Sequence, residues 1–166
     1  ADVNEFDGSF WNPYALWAAC SREHVSTARA LLDAGADIES VNSEGETPLI
    51  SFFHIKLIRK MLIRAGANLH ALNKHGSTIL SSVAISKNFG LMVDLFSRGM
   101  NSSHRDFNGN TVLHDAAGHF KSGAHGSKIQ MISTILDLSA DINITNNDGD
   151  TALHIAAKMG FSIASR

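Results

Sequence analysis

Five glycines of this 166-residue chain sit in matching surroundings: Gly8, Gly45, Gly76, Gly109 and Gly149. Three residues before each lies a polar side chain, in order Glu5, Asn42, Asn73, Asp106 and Asn146. Two residues after the last four comes a threonine, Thr47, Thr78, Thr111 or Thr151, and two further on a leucine, Leu49, Leu80, Leu113 or Leu153. Two units then continue with histidine and a small pair, His114-Asp115-Ala116-Ala117 and His154-Ile155-Ala156-Ala157. Self-similarity at this scale constrains a fold more than any local propensity. Each unit is one supersecondary piece that buries its apolar face only against its neighbours.

A second block closes each unit. It reads Leu31-Leu32-Asp33-Ala34-Gly35-Ala36-Asp37-Ile38, then Met61-Leu62-Ile63-Arg64-Ala65-Gly66-Ala67-Asn68-Leu69. It is blurred at Leu95-Phe96-Ser97-Arg98-Gly99 and returns over Ile135–Asn143. The opening Ala1-Asp2-Val3-Asn4 reads as the tail of the same block from an earlier unit.

These two interlocking blocks resemble the ankyrin repeat, over essentially the whole chain. The resemblance implies an all-α repeat solenoid, each unit a β-hairpin tip followed by two antiparallel helices. Units are expected at about 5–41, 42–72, 73–105 and 106–145, with a partial one at 146–166. The glycine spacings are 37, 31, 33 and 40 residues against a family period of ~33. This irregularity fits a natural, divergent array. Ala152 to Met159 carries the core signature without a polar outer face, so the array is expected to continue beyond this chain.

Each position has a physical role. The glycine allows positive φ in the hairpin turn, and the Asp or Asn before it can hold that turn. Threonine caps the first helix, and Pro48 follows at its first turn. Leu31-Leu32 and their counterparts are expected to fill the core, and Gly35, Gly66 and Gly99 to end the second helices. Helices are expected at 14–21, 25–34, 47–53, 56–64, 78–86, 90–97, 111–118 and 128–138, with a last one starting at Thr151. The resemblance gives His114 and His154 a structural task, tying adjacent turns by hydrogen bonds. Trp17 takes that slot in the first unit, which must be joined differently.

Composition excludes several functions. Fourteen Lys plus Arg against 16 Asp plus Glu give a net charge of -2, no basis for general nucleic-acid binding. Hydrophobic residues at 44% support a core, and no apolar run reaches the ~18 residues of a membrane span. The single cysteine, Cys20, forms no internal disulfide and sits at a small-pair position, as a buried apolar residue. A cytoplasmic or other reducing compartment is therefore expected. No phosphate loop or nucleophile elbow occurs, and neither a catalytic residue nor a cofactor is expected. Asp115, His119 and His125 match no metal-ligand spacing. Along 56–64, Leu57, Ile58, Met61 and Leu62 are expected to face inward, leaving Lys56, Arg59, Lys60 and Ile63 as a solvated face.

The family resemblance places partner contacts at the tips and on the exposed side of the first helices. The residues expected there are Phe6, Phe10, Trp11, Arg22, Glu44, Glu46, Lys74, His75, Phe107, Asn108 and His119. Two insertions stand out. Ser9–Pro13 puts Phe10 and Trp11 at a tip, either as an interface anchor, folded back over their own unit, or packed on a preceding repeat. His119–Ser127, rich in Gly and Ser, reads as a surface loop. The chain is expected to be a non-catalytic module that recognises a partner protein. An alternative makes it the recruiting arm of a larger effector or signalling enzyme, acting in a host cytosol if secreted. A narrower one makes it a viral mimic of the NF-κB-inhibitor family. Its divergence and insertions have the style of proteins from intracellular bacteria or viruses.

Overall fold

The computed structural model describes residues 15–118, 125–138 and 140–164. Nine helices occur among them: α1 Ala15–Ser21, α2 Val25–Asp33, α3 Pro48–Ser51, α4 Lys56–Arg64, α5 Ile79–Ser86, α6 Phe89–Ser97, α7 Val112–Gly118, α8 His125–Asp137 and α9 Ala152–Ala164. The architecture is all-α, in two compact units, Ala1–Lys74 and His75–Arg166.

In the first unit α1 packs on α2, and α4 receives both α2 and α3. Leu16, Trp17, Ala19 and Cys20 of α1 are buried, as are Leu49 and Ile50 of α3 and Ile58, Met61 and Leu62 of α4. Trp17 is joined to its surroundings by a different bond from the motif histidines. Its indole N–H donates to Ser40 Oγ at 3.1 Å, and its ring meets Phe52 edge-on at 5.3 Å. Leu31 and Leu32 are only half-buried, contrary to the core role expected of them, and Ala28 is the buried residue of α2. α3 ends at Ser51, short of the expected Phe53. The 31-residue spacing of this unit leaves less chain for the helix, and Arg59 reaches back to donate to the freed Phe53 carbonyl. That bond holds Arg59 half-buried, while Leu57, expected to face inward, is 64% exposed.

In the second unit α7 is the centre, with α5, α8 and α9 packed on it, and α6 meets α5 and α8. Leu80, Val83, Leu91, Met92, Leu95, Val112, Leu113, Ala117, Met131 and Ile135 form the core. α8 begins at His125, three residues before the expected Lys128, so His125–Ser127 are helical and not loop. The helix, anchored by buried Met131 and Ile135, runs on upstream, and the ~1 kcal/mol penalty of Gly126 does not stop it. Leu153 departs most from expectation: it is 69% exposed, whereas Leu113, its counterpart in the repeat, is 3% exposed. α7 is enclosed by three helices, but α9 packs mainly on α7. An apolar cleft of about 90 Å³, lined by Leu113, Ala117, Ile132, Leu136 and Leu153 among others, lies open beside it.

The helix ends follow from local chemistry. Thr47 Oγ1 accepts the Ile50 N–H and Thr78 Oγ1 the Leu80 N–H, as N-caps do. α2, α4 and α6 end in paired bonds of one pattern. The Gly35 N–H donates to Leu32 O while the Ala36 N–H reaches Leu31 O, and Gly66/Ala67 and Gly99/Met100 repeat this. These are Schellman ends. The glycines have φ of 90°, 92° and 85°, and the residue after each is buried.

Candidate partner-binding surface

The tips at Asn42, Asp106 and Asn146 are built by one Asx device. At the second tip Asn42 Oδ1 accepts the N–H groups of Glu44 and Glu46 at 2.9 and 3.0 Å. Its own backbone closes the turn, with Asn42 N–H to Glu46 O and Gly45 N–H to Asn42 O. Asp106 does the same for Asn108 and Asn110, and Asn146 for Asp148 and Asp150. The tips are therefore closed turns. Among the described residues they form no strand, only an isolated bridge between Thr145 and Thr151, so the expected β-hairpin is reduced to its turn.

Neighbouring tips within a unit are cross-linked by backbone. In the first unit the Lys74 N–H donates to Glu44 O at 2.9 Å. In the second, Phe107 N–H donates to His75 O and Asn147 N–H to Asn108 O, both at 2.9 Å. Each rung joins two tips through main-chain atoms.

Those side chains are the ones the sequence singled out, with differences. Glu44 and Lys74 are exposed and joined by an ion pair at 2.5 Å. Arg22 is exposed just beyond the end of α1, and His75 and Asn108 are exposed. Phe107 is 69% exposed, yet its ring lies on the neighbouring tip: a Cβ at Gly76 would come within 2.6 Å of it. Glu46 differs. Its carboxylate accepts from Ser51 Oγ at 2.6 Å and Asn42 Nδ2 at 3.2 Å, so it braces the turn and is half-buried. Phe6, Phe10, Trp11 and His119 lie outside the described residues.

Some residues that shape this surface are not among the expected contacts. Asn147 Nδ2 donates to Phe107 O at 2.9 Å, making Asn147 a strut more than a contact. Arg105 and Asn147 both lie against Gly109, where a side chain would collide with them. His104 Nε2 reaches Gly76 O at 2.8 Å, a tie outside the motif position. The acidic or amide residue of the closing block also has a use: Asp37, Asn68, Asn101 and Asp141 each hold the N–H two residues on. Its recurrence was visible; its bond was not.

Burial pushes the Cys20 thiol up to about 11, so it is neutral at physiological pH. No group of three or more His, Cys, Asp or Glu among the described residues could hold a metal ion. No helix among them is long and apolar enough to cross a membrane.

Residues 16–55 and 120–164, half of the chain, match the profile of ankyrin repeats. The chain belongs to the ankyrin-repeat family. Over 144 residues, 86% of its length, this ankyrin chain is 29% identical to the transcription factor MBP1 of Saccharomyces cerevisiae. It spans 15% of that protein's length. The ankyrin assignment accounts for the closed tips, the capped first helices and the Schellman ends, because each recurs at corresponding positions of the repeat.

Proposed function

We propose that the chain is a protein–protein recognition module in which each compact unit presents its own contact surface of tip side chains and exposed first-helix ends. The observation that carries this reading is the backbone rung. Lys74 N–H to Glu44 O and Phe107 N–H to His75 O hold exposed side chains of different type at set positions. A surface already ordered before binding avoids the entropy that flexible loops lose on association. Phe107 supplies the anchor, a large exposed ring whose position on Gly76 is settled before a partner arrives. Glu44, Lys74 and Asn108 supply polar contacts that tune partner choice. Arg22 belongs to the same surface in its own unit. Phe6, Phe10, Trp11 and His119 extend the proposal on sequence grounds. The module acts without chemistry of its own. Any enzymatic or effector activity belongs to a longer protein containing it. The role of the yeast transcription factor does not transfer, since the likeness spans only 15% of that protein.

The test is affinity capture with the chain beside two variants, Phe107→Ala/Lys74→Ala and Val93→Ser, the latter on the exposed face of α6. A protein held by the parent and by Val93→Ser but lost with the tip variant supports the reading. A protein held equally by all three overturns it.

A further inference from the structure

Charge is not spread evenly along this chain. Between Glu46 and Asp94 there is no acidic residue, while Lys56, Arg59, Lys60, Arg64, Lys74 and Lys87 fall within that stretch. Four of those six cations stand on α4. Lys74 is paired with Glu44, and Arg59 is engaged by the Phe53 carbonyl. Lys56, Lys60 and Arg64 are exposed and enter no ion pair among the described residues. They are spaced four apart, so they form one stripe about 12 Å long on a single helix face. Beside the stripe stands Leu57, 64% exposed.

Helix stability does not explain this arrangement. Arg64 suits the last turn of α4, but Lys56 stands in the first turn, where the helix dipole disfavours a positive charge. Leu57 could have been polar without loss to the core, which Ile58, Met61 and Leu62 supply. Counted back from Gly35 and Gly66, Arg29 of α2 holds the register position of Lys60, and Asp33 that of Arg64. α2 packs against α4, so the neighbouring helix adds one cation and then a boundary of opposite sign.

We propose that this face of α4 docks a short acidic peptide segment, one that places carboxylates along Lys56, Lys60 and Arg64 and an apolar side chain on Leu57. This surface is separate from the tips. Its size selects the occupant: three turns of one helix match a segment of about a dozen residues. Exposed Glu23, Asp33 and Asp37 in the same unit would repel a broad polyanion such as a bilayer or a nucleic acid. Leu57 adds an apolar contact that nucleic-acid phosphates cannot use.

The test is fluorescence anisotropy of the whole chain with a labelled 14-residue alanine-based peptide. The peptide carries Glu at three positions four apart and a Leu beside the middle one; its twin has Gln for Glu. The Glu peptide is expected to bind, the Gln twin to bind about tenfold more weakly, and binding to fall between 50 and 300 mM salt as screening shortens. Lys56→Glu/Lys60→Glu should abolish binding, and Leu57→Ser should weaken it several-fold. Lys87→Glu, a single charge reversal elsewhere, and the tip variant Phe107→Ala/Lys74→Ala should leave it unchanged. Circular dichroism of each variant should match the parent. Equal binding of the two peptides, no binding of either, or insensitivity to the Lys56/Lys60 reversal overturns the proposal. So does stronger binding to phosphatidylserine vesicles or to a single-stranded oligonucleotide.

Discussion

His114 and Asp150, 36 residues apart in the chain, are joined by one hydrogen bond of 3.0 Å from imidazole Nε2 to a backbone carbonyl. The other ring nitrogen, Nδ1, accepts the Thr111 N–H at 3.1 Å, which leaves the proton on Nε2 and makes it the donor. One side chain thus braces the start of its own helix and grips the following tip. Replacing His114 with Ala is expected to lower stability by about 1–3 kcal/mol, because it leaves the buried Thr111 N–H without its acceptor and removes the tie to the Asp150 carbonyl. Urea denaturation checks this, and a change below about 0.5 kcal/mol would show that the bonds contribute little. His154 makes the matching Thr151 contacts but is exposed, so His154→Ala should cost clearly less.

Leu113 and Leu153 share a motif position and differ in enclosure. Leu113→Ala is expected to cost about 2–5 kcal/mol, and Leu153→Ala less than about 1 kcal/mol. Both are read from the same urea titration. Equal losses would mean that α9 is as enclosed as α7.

Gly76 and Gly35 both require positive φ, at 76° and 90°, but only Gly76 lies beneath a ring. Gly35→Ala should cost about 1–2 kcal/mol from backbone conformation alone. Gly76→Ala should cost more, since its Cβ meets Phe107. In a Phe107→Ala background that excess is expected to vanish, which a double-mutant cycle measures directly. Additive losses would place the ring elsewhere.

Cys20 is fully buried, and its thiol is raised from 9.0 to about 11 by desolvation. The fold therefore favours the neutral thiol. The stability this contributes is complete below pH 9 and is lost as pH rises through about 11, by about 3 kcal/mol at most. Cys20→Ala should remove that part of the decline. At pH 8 a thiol reagent should label Cys20 only as fast as the protein opens; fast labelling of the folded chain would contradict the burial.

Much of this molecule could be read without coordinates. The glycine-to-threonine frame predicted the first-helix starts to within a residue, and Gly35, Gly66 and Gly99 marked the second-helix ends, because turns and caps depend on bonds to residues two to four positions away. The surface positions Glu44, Lys74, His75 and Phe107 were legible for the same reason: a tip is local. What periodicity could not supply was enclosure. Leu57 and Leu153 carry the right residue type at the right spacing and are nevertheless exposed, and Leu31 is only half-covered. Glu46 carries the charge of a contact residue and is drawn inward by Ser51. Asn147 and Arg105 look like ordinary tip residues until Gly109 brings them together. A repeated sequence thus determines its own turns and helices, because those are closed by neighbouring atoms. Which leucine is core, and which polar side chain is strut or surface, is decided only when distant segments pack, since burial and long-range hydrogen bonds belong to the partner brought alongside.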